Sequence, residues 1–152
     1  SLGSFCCLLY AQEHPEIVKA IVPTATVVSG ELSLQSPRYQ DNDVLERWER
    51  TGWRVSESST RPGHIKRLKW SHMVDRQKYD VLPSANRLTM PVLVLVGDDD
   101  DRTPVRTQRL LLDALPGPKA LHVISGAPHT VQDAEHLEKI QKILNAWIKA
   151  LD

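Results

Sequence analysis

The spacing of apolar residues changes character several times along the chain. Residues 4–13 (SFCCLLYAQE) are apolar with no breaker until His14-Pro15, which predicts a buried helix. Residues 17–28 (IVKAIVPTATVV) are β-branched and apolar, and predict a buried strand to about Val22 followed by a loop. From Pro91 the pattern is regular. The stretch 91–97 (PVLVLVG) is a continuous apolar strand ending at glycine, the pattern of a parallel strand covered on both faces. Thr103-Pro104 then predicts a helix start, with Thr103 at the N-cap and Pro104 in the first turn. That helix runs through RLLLDAL and stops at Pro116-Gly117. The next strand is 119–125 (KALHVIS). In the closing helix, from about Asp133 to Leu151, Leu137, Ile140, Leu144, Trp147, Ile148 and Leu151 recur on one face.

Between these segments, residues 29–85 are polar and interrupted by Pro37, Gly52, Pro62, Gly63 and Pro83. Two short helices are predicted there, near 41–50 (DNDVLERWER) and 63–70 (GHIKRLKW). The insertion holds Trp48, Trp53 and Trp70, three of the four tryptophans. A polar insertion with scattered large aromatics has the composition of a lid rather than a core. The element order is helix, strand, insertion, strand, helix, strand, helix. Alternation of this kind predicts an α/β fold with a mostly parallel sheet flanked by helices. No internal repeat or low-complexity tract interrupts it.

A chain of 152 residues with 41% apolar content can bury one core, and this composition argues against disorder. Nineteen basic residues balance nineteen acidic ones, so the electrostatic footprint of a nucleic-acid or membrane-surface binder is missing. The expected partner is a small molecule, and a homo-oligomer stays open. Cys6 and Cys7 are adjacent in a helical run, so no structural disulfide is expected, and both read as core. That points to a reducing, cytoplasmic setting. No apolar run reaches the 18 or so residues of a membrane span. The chain starts at Ser1-Leu2-Gly3, which reads as the interior of a motif and leaves a signal peptide open.

Ligands of open parallel sheets bind at the carboxyl ends of the strands. The strand at 91–96 is followed by Gly97 and Asp98-Asp99-Asp100-Asp101, and the strand at 119–124 by Gly126-Ala127-Pro128-His129. An acid and a histidine therefore leave neighbouring strands at the same edge. A histidine placed so can act as general base, and a carboxylate beside it can fix its tautomer. The missing partner is a nucleophile. Ser1-Leu2-Gly3 before an apolar helix matches the second half of a strand–turn–helix nucleophile elbow, G-x-S-x-G. The order serine, acid, histidine differs from that of the chymotrypsin and subtilisin types.

These segments resemble the α/β-hydrolase superfamily over essentially the whole chain. SLGS with the helix end AQEHPE is similar to its elbow and following helix, PVLVLVGDDDDRTP to its acid loop, and GAPHT to its histidine loop. The resemblance implies a partial, C-terminal hydrolase domain over 1–152, with a small helical cap at about 29–85. The nearest groups are small esterases, monoglyceride lipases and serine aminopeptidases. It implies a catalytic triad of Ser1, Asp100 and His129, with the Leu2 N–H as one oxyanion-hole donor. The activity implied is cleavage of a small-molecule carboxylic ester through an acyl-enzyme, with no cofactor. The upstream half, with the second oxyanion donor and the first elbow glycine, is not in the chain.

Other readings stay open beside it. The same scaffold serves peptidases, C–C hydrolases, perhydrolases and non-catalytic binding proteins. Ser1 could use its own α-amine as base, as an N-terminal nucleophile, but that class needs antiparallel sheets. Asp101 is the second candidate for the acid. The acidic run lacks an EF-hand spacing, and no histidine pair has a zinc spacing, so no metal is expected. His64 and His72 could line a pocket or face solvent. Trp48, Trp53 and Trp70 are candidates either for a substrate pocket or for anchoring the lid.

Overall fold

Valine and leucine alternate without a polar break at 92–96, and such a run is stable only where both faces are covered. The computed structural model, which describes residues 1–40, 43–58 and 61–151, puts this run at the centre of the sheet. Its elements are α1 (Leu2–Glu13), α2 (Val44–Thr51), β1 (Trp53–Glu57), β2 (Ile65–Lys69), α3 (Ser71–Arg76), β3 (Val92–Asp99), α4 (Val105–Ala114), β4 (Lys119–Pro128) and α5 (Ala134–Lys149), with short 3₁₀ turns at Leu32–Gln35, Pro37–Tyr39 and Leu82–Arg87. Residues 92–96 are all buried. One core joins Phe5, Leu8 and Ala11 of α1 to Val92 and Val94 of β3 and Leu111 of α4. Burying each such side chain stabilises the fold by about 1.5–3 kcal/mol.

β3 pairs in parallel with β4, from Val92 opposite Lys119 to Gly97 opposite Ile124. The predicted strand at 17–22 is displaced. Residues 20–25 lie along the other side of β3 through two isolated parallel bridges, Ile21 to Val92 and Thr24 to Leu95. Four backbone bonds run between the segments: Ile21 to Pro91, Leu93 to Ile21, Leu95 to Pro23, and Ala25 to Leu95. The bond missing from the middle of this ladder is the one Pro23 would donate, and proline has no N–H.

The insertion is not purely helical. Helix α2 forms as expected from residue 44, and the start of the predicted 41–50 helix, at 41–42, lies outside the described residues. The predicted helix at 63–70 is instead β2, paired antiparallel with β1 from Trp53 opposite Lys69 to Glu57 opposite Ile65. Ile65 and Leu68 have helical spacing, but the β-branched and aromatic content of WRVSE offers a pairing partner, and pairing overrides propensity. A smaller core of Tyr39, Trp48 and Met73, with Trp70 against it, holds the cap together.

Helix α1 buries only one face. Cys6 and Cys7 lie on the other and are free and exposed, which corrects their placement in the core. Helix α5 starts where expected, with the Asp133 carboxylate accepting from the N–H groups of Glu135 and His136. Its apolar stripe, however, contains no buried residue.

Candidate active site

The acid loop is built by close packing. A Cβ on Gly97 would sit 1.8 Å from the carbonyl oxygen of Ala127, so only glycine lets the ends of β3 and β4 converge. Beyond it the register shifts between Gly97 and Asp99, and Asp99 comes opposite Pro128. Gly126, at φ +72°, turns β4 and aims the following residues back over β3. The two loops thereby deliver Asp100 and His129 to one point.

His129 Nδ1 lies 2.8 Å from Asp100 Oδ2 and 3.0 Å from Oδ1. The Asp100 side chain is fully buried and that of His129 is 9% exposed. Three other donors reach the same carboxylate. The backbone N–H groups of Arg102 and Thr103 donate to Oδ1 at 2.8 and 2.9 Å, and the Thr103 hydroxyl donates to Oδ2 at 2.6 Å. Burial pushes the Asp100 carboxyl up. The hydrogen bonds from His129, Thr103 and Arg102 outweigh that and hold it at about 2. A carboxylate ionised so firmly accepts from Nδ1–H, which leaves His129 Nε2 as the proton acceptor. Asp101, the second candidate, is exposed and pairs instead with Arg102 at 3.8 Å.

Ser1 and Leu2 stand at the start of α1. This end is tied to the 20–25 segment by Ser4, whose Oγ donates to the Thr24 carbonyl and accepts from the Thr24 N–H, both at 3.1 Å. Ser1 is the N-cap residue, but its side chain makes no capping bond. The Leu2 N–H is among the first N–H groups of the helix, which have no partner within it. Ser1, Leu2, Thr103 and His129 line one cavity of about 520 Å³, walled in part by residues of the insertion.

None of the three insertion tryptophans lines that cavity. Trp48 is 2% exposed, donates from Nε1 to the Leu68 carbonyl at 3.0 Å, and meets Trp70 edge-on at 5.5 Å. Trp53 is exposed, with Lys69 Nζ over its ring. Trp48 and Trp70 belong to the small core that the cap buries for itself, and Trp53 stays outside it. His72 does line the cavity, and burial followed by the charge of Arg76 lowers its pKa. His64 is exposed. Among the described residues, no group of three or more His, Cys, Asp or Glu gathers as metal ligands would. No helix among them is long and apolar enough to cross a membrane.

Solved structures share this fold. Est1E from Butyrivibrio proteoclasticus, in a complex with ferulic acid, matches at a TM-score of 0.71 and 18% identity, over 97% of this chain and 55% of its own. Monoacylglycerol lipase from Paleococcus ferrophilus matches at 0.74 and 19% identity, over 100% of this chain and 66% of its own. Mouse α/β-hydrolase domain-containing protein 10 matches at 0.73 and 22% identity, over 100% and 60%.

The chain has the α/β-hydrolase fold.

It spans roughly three fifths of the length of these structures. No protein-family model and no curated protein matches it. Within the hydrolase fold, two features of the site escape a reading of the sequence. Thr103 is not the N-cap of α4, a position taken by Pro104; its hydroxyl is bound to Asp100 instead. The signal was present as an aspartate followed three residues later by threonine, a spacing at which the carboxylate caps its own turn. The second feature is a group of arginines from the insertion and the acid loop: Arg38, Arg54, Arg76 and Arg102. They are far apart in sequence, and no local pattern announces that they meet.

Proposed function

We propose that this chain carries the nucleophile, acid and base of a serine hydrolase that cleaves a carboxylic ester of a small molecule. The observation that carries the reading is the buried Asp100–His129 pair, at the ends of adjacent parallel strands, opening on the cavity that Ser1 lines. The similarity to an esterase and a monoacylglycerol lipase adds support at the level of the fold.

In this reading, Ser1 Oγ attacks the ester carbonyl carbon while His129 Nε2 takes the hydroxyl proton. Asp100 holds the ring in that tautomer and stabilises the imidazolium that forms. The Leu2 N–H donates to the developing oxyanion, an interaction worth roughly 3–4 kcal/mol per donor. The tetrahedral intermediate collapses to the Ser1 acyl-enzyme, and His129 returns the proton to the leaving alcohol. Water then attacks the acyl carbon with His129 again as base, releasing the acid.

The test is made on the intact protein, with a short p-nitrophenyl ester and a fluorophosphonate probe. Ser1→Ala and His129→Ala are each expected to abolish turnover with folding retained, and Ser1→Ala to abolish labelling. The double variant should be hardly slower than either single one, because such residues act as a unit. Undiminished turnover by Ser1→Ala would refute the reading.

A further inference from the structure

Charge over the whole chain sums to zero, but the cavity at Ser1 is far from neutral. Arg38, Arg54, Lys66, Arg76 and Arg102 all line it. The carboxylate of Glu57, on the same wall, already accepts from the Gly63 N–H. Asp100 is engaged by His129, and the exposed Asp101 pairs with Arg102 at 3.8 Å and also acts on Arg38. The Nε atoms of Arg38, Arg76 and Arg102 are each buried with no hydrogen-bond acceptor among the described residues.

Tyr39 is the scaffold of this cluster. The guanidinium groups of Arg38 and Arg54 lie over its ring, at 5.1 and 5.5 Å from the centroid. Its hydroxyl accepts from Arg54 at 3.4 Å and is also hydrogen-bonded to Arg76. Burial lowers the pKa of Arg38, and Arg54 and Arg102 add to that, while Tyr39 and Asp101 oppose it. Burial lowers that of Arg76 as well. Gathering like charges at a half-buried wall costs free energy, and leaving buried donors unmade costs more. A shared anion relieves both. The guanidinium fork matches a planar carboxylate or a phosphate with two parallel N–H···O bonds. A cavity of about 520 Å³ also lies within the usual size range for a small-molecule site.

We propose that the substrate carries an oxyanion group, a carboxylate or a phosphate, on the part that enters beneath the insertion, and that Arg38, Arg76 and Arg102 anchor it. The inference rests on the ester-hydrolase reading of Ser1, Asp100 and His129. It narrows the substrate class from neutral esters to esters of an acidic molecule. The scissile carbonyl then lies at Ser1 while the arginines hold the anion.

The experiment compares two p-nitrophenyl esters on the intact protein: the butyrate and the glutarate half-ester, whose acyl chain ends in a carboxylate. The half-ester is expected to be preferred in kcat/KM by at least roughly tenfold. Arg38→Gln and Arg76→Gln should each cut that preference by roughly 10- to 100-fold, the size of one charge-assisted hydrogen bond. Arg38→Lys should recover part of it, since charge is kept and the fork is lost. Thermal melts of the Gln and Lys variants separate lost folding from lost recognition. Glutarate and inorganic phosphate are tested as inhibitors of butyrate turnover. The stronger of the two identifies the anion, and inhibition by neither overturns the proposal. Ser1-dependent butyrate turnover, with no half-ester preference and no effect of the Arg variants, overturns it while the hydrolase reading stands. If neither ester is turned over and Ser1 is not labelled, the hydrolase reading falls. Calorimetric titration with glutarate and phosphate then decides the anion site separately, with heat lost in Arg38→Gln supporting it and no heat in the wild type overturning it.

Discussion

The carboxylate of Asp100 is the residue on which the site turns, because four donors converge on it in a fully buried position. Under the proposed mechanism, Asp100→Asn should reduce kcat by a factor approaching ~10⁴, since an amide at that place favours the wrong histidine tautomer. Asp101→Asn should stay within a few-fold of the wild type, because Asp101 is exposed and turned toward Arg102. Steady-state kinetics of the two variants in the intact protein decide the matter, and a crippled Asp101→Asn would refute the assignment of the acid. The same carboxylate links stability to pH. Its pKa falls from the usual 3.8 to about 2 on folding, so the stabilisation is complete above pH 3.8 and is lost as pH falls toward 2. The contribution is about 2 kcal/mol. Denaturant titrations between pH 2 and 6 should show this loss in the wild type and not in Asp100→Asn. Thr103→Val, which removes one of the donors, should move the loss to higher pH.

At the scale of elements, the decisive contacts are those that bring loops together. Gly97→Ala would drive a Cβ into the Ala127 carbonyl, and the strand ends would have to part. A loss of about 3 kcal/mol is expected from such overpacking, together with loss of the Asp100–His129 contact. A circular-dichroism melt and the turnover assay read the two effects, and an unaltered Tm would contradict the packing described. In the insertion, Trp48 joins the cap's small core and also donates to Leu68 in β2. Trp48→Ala should cost about 3–5 kcal/mol of local stability and loosen the β1–β2 ribbon. Faster proteolysis within 52–70 at unchanged sheet stability is the expected readout. A change in acyl preference without faster cleavage would return Trp48 to the substrate pocket.

For the molecule as a whole, the balance between covered and uncovered apolar surface is uneven. Strand β3 is buried along its apolar length, but β4 is flanked on one side only among the described residues. Leu137 and Ile148 of α5 are 48% and 53% exposed, and Tyr10 of α1 is 51% exposed. Apolar faces and an unpaired strand edge of this kind favour self-association. Residues 1–152 expressed by themselves are therefore expected to run above monomer mass or to precipitate. Leu137→Glu with Ile148→Glu should shift them toward monomer in sedimentation. A monodisperse monomer of the unaltered chain would contradict this reading.

Much of this architecture is legible in the sequence, and the reason differs from element to element. β3 and α4 announce themselves because burial writes a period directly into 91–115, and β4 and α5 carry apolar patterns that the described residues leave largely uncovered. The pairing of Asp100 with His129 follows from the same regularity, because residues just past two parallel strands must meet. The boundaries at 20–25 and 65–69 were not legible. Whether Pro23 interrupts a ladder, and whether IKRLK coils or pairs, depends on a partner strand supplied by another part of the chain. Thr103 has a local signal, but two roles compete for one hydroxyl, and only the fold chooses between them. The arginines of the cavity were decided by tertiary structure alone. Charge patterning carries no period where solvent and ligand set the demand, so Arg38, Arg54, Arg76 and Arg102 look like ordinary surface residues until the insertion folds over Ser1. Local sequence thus settled what backbone and burial require, and the fold settled which distant side chains share one cavity, because that depends on long-range packing that leaves no local trace.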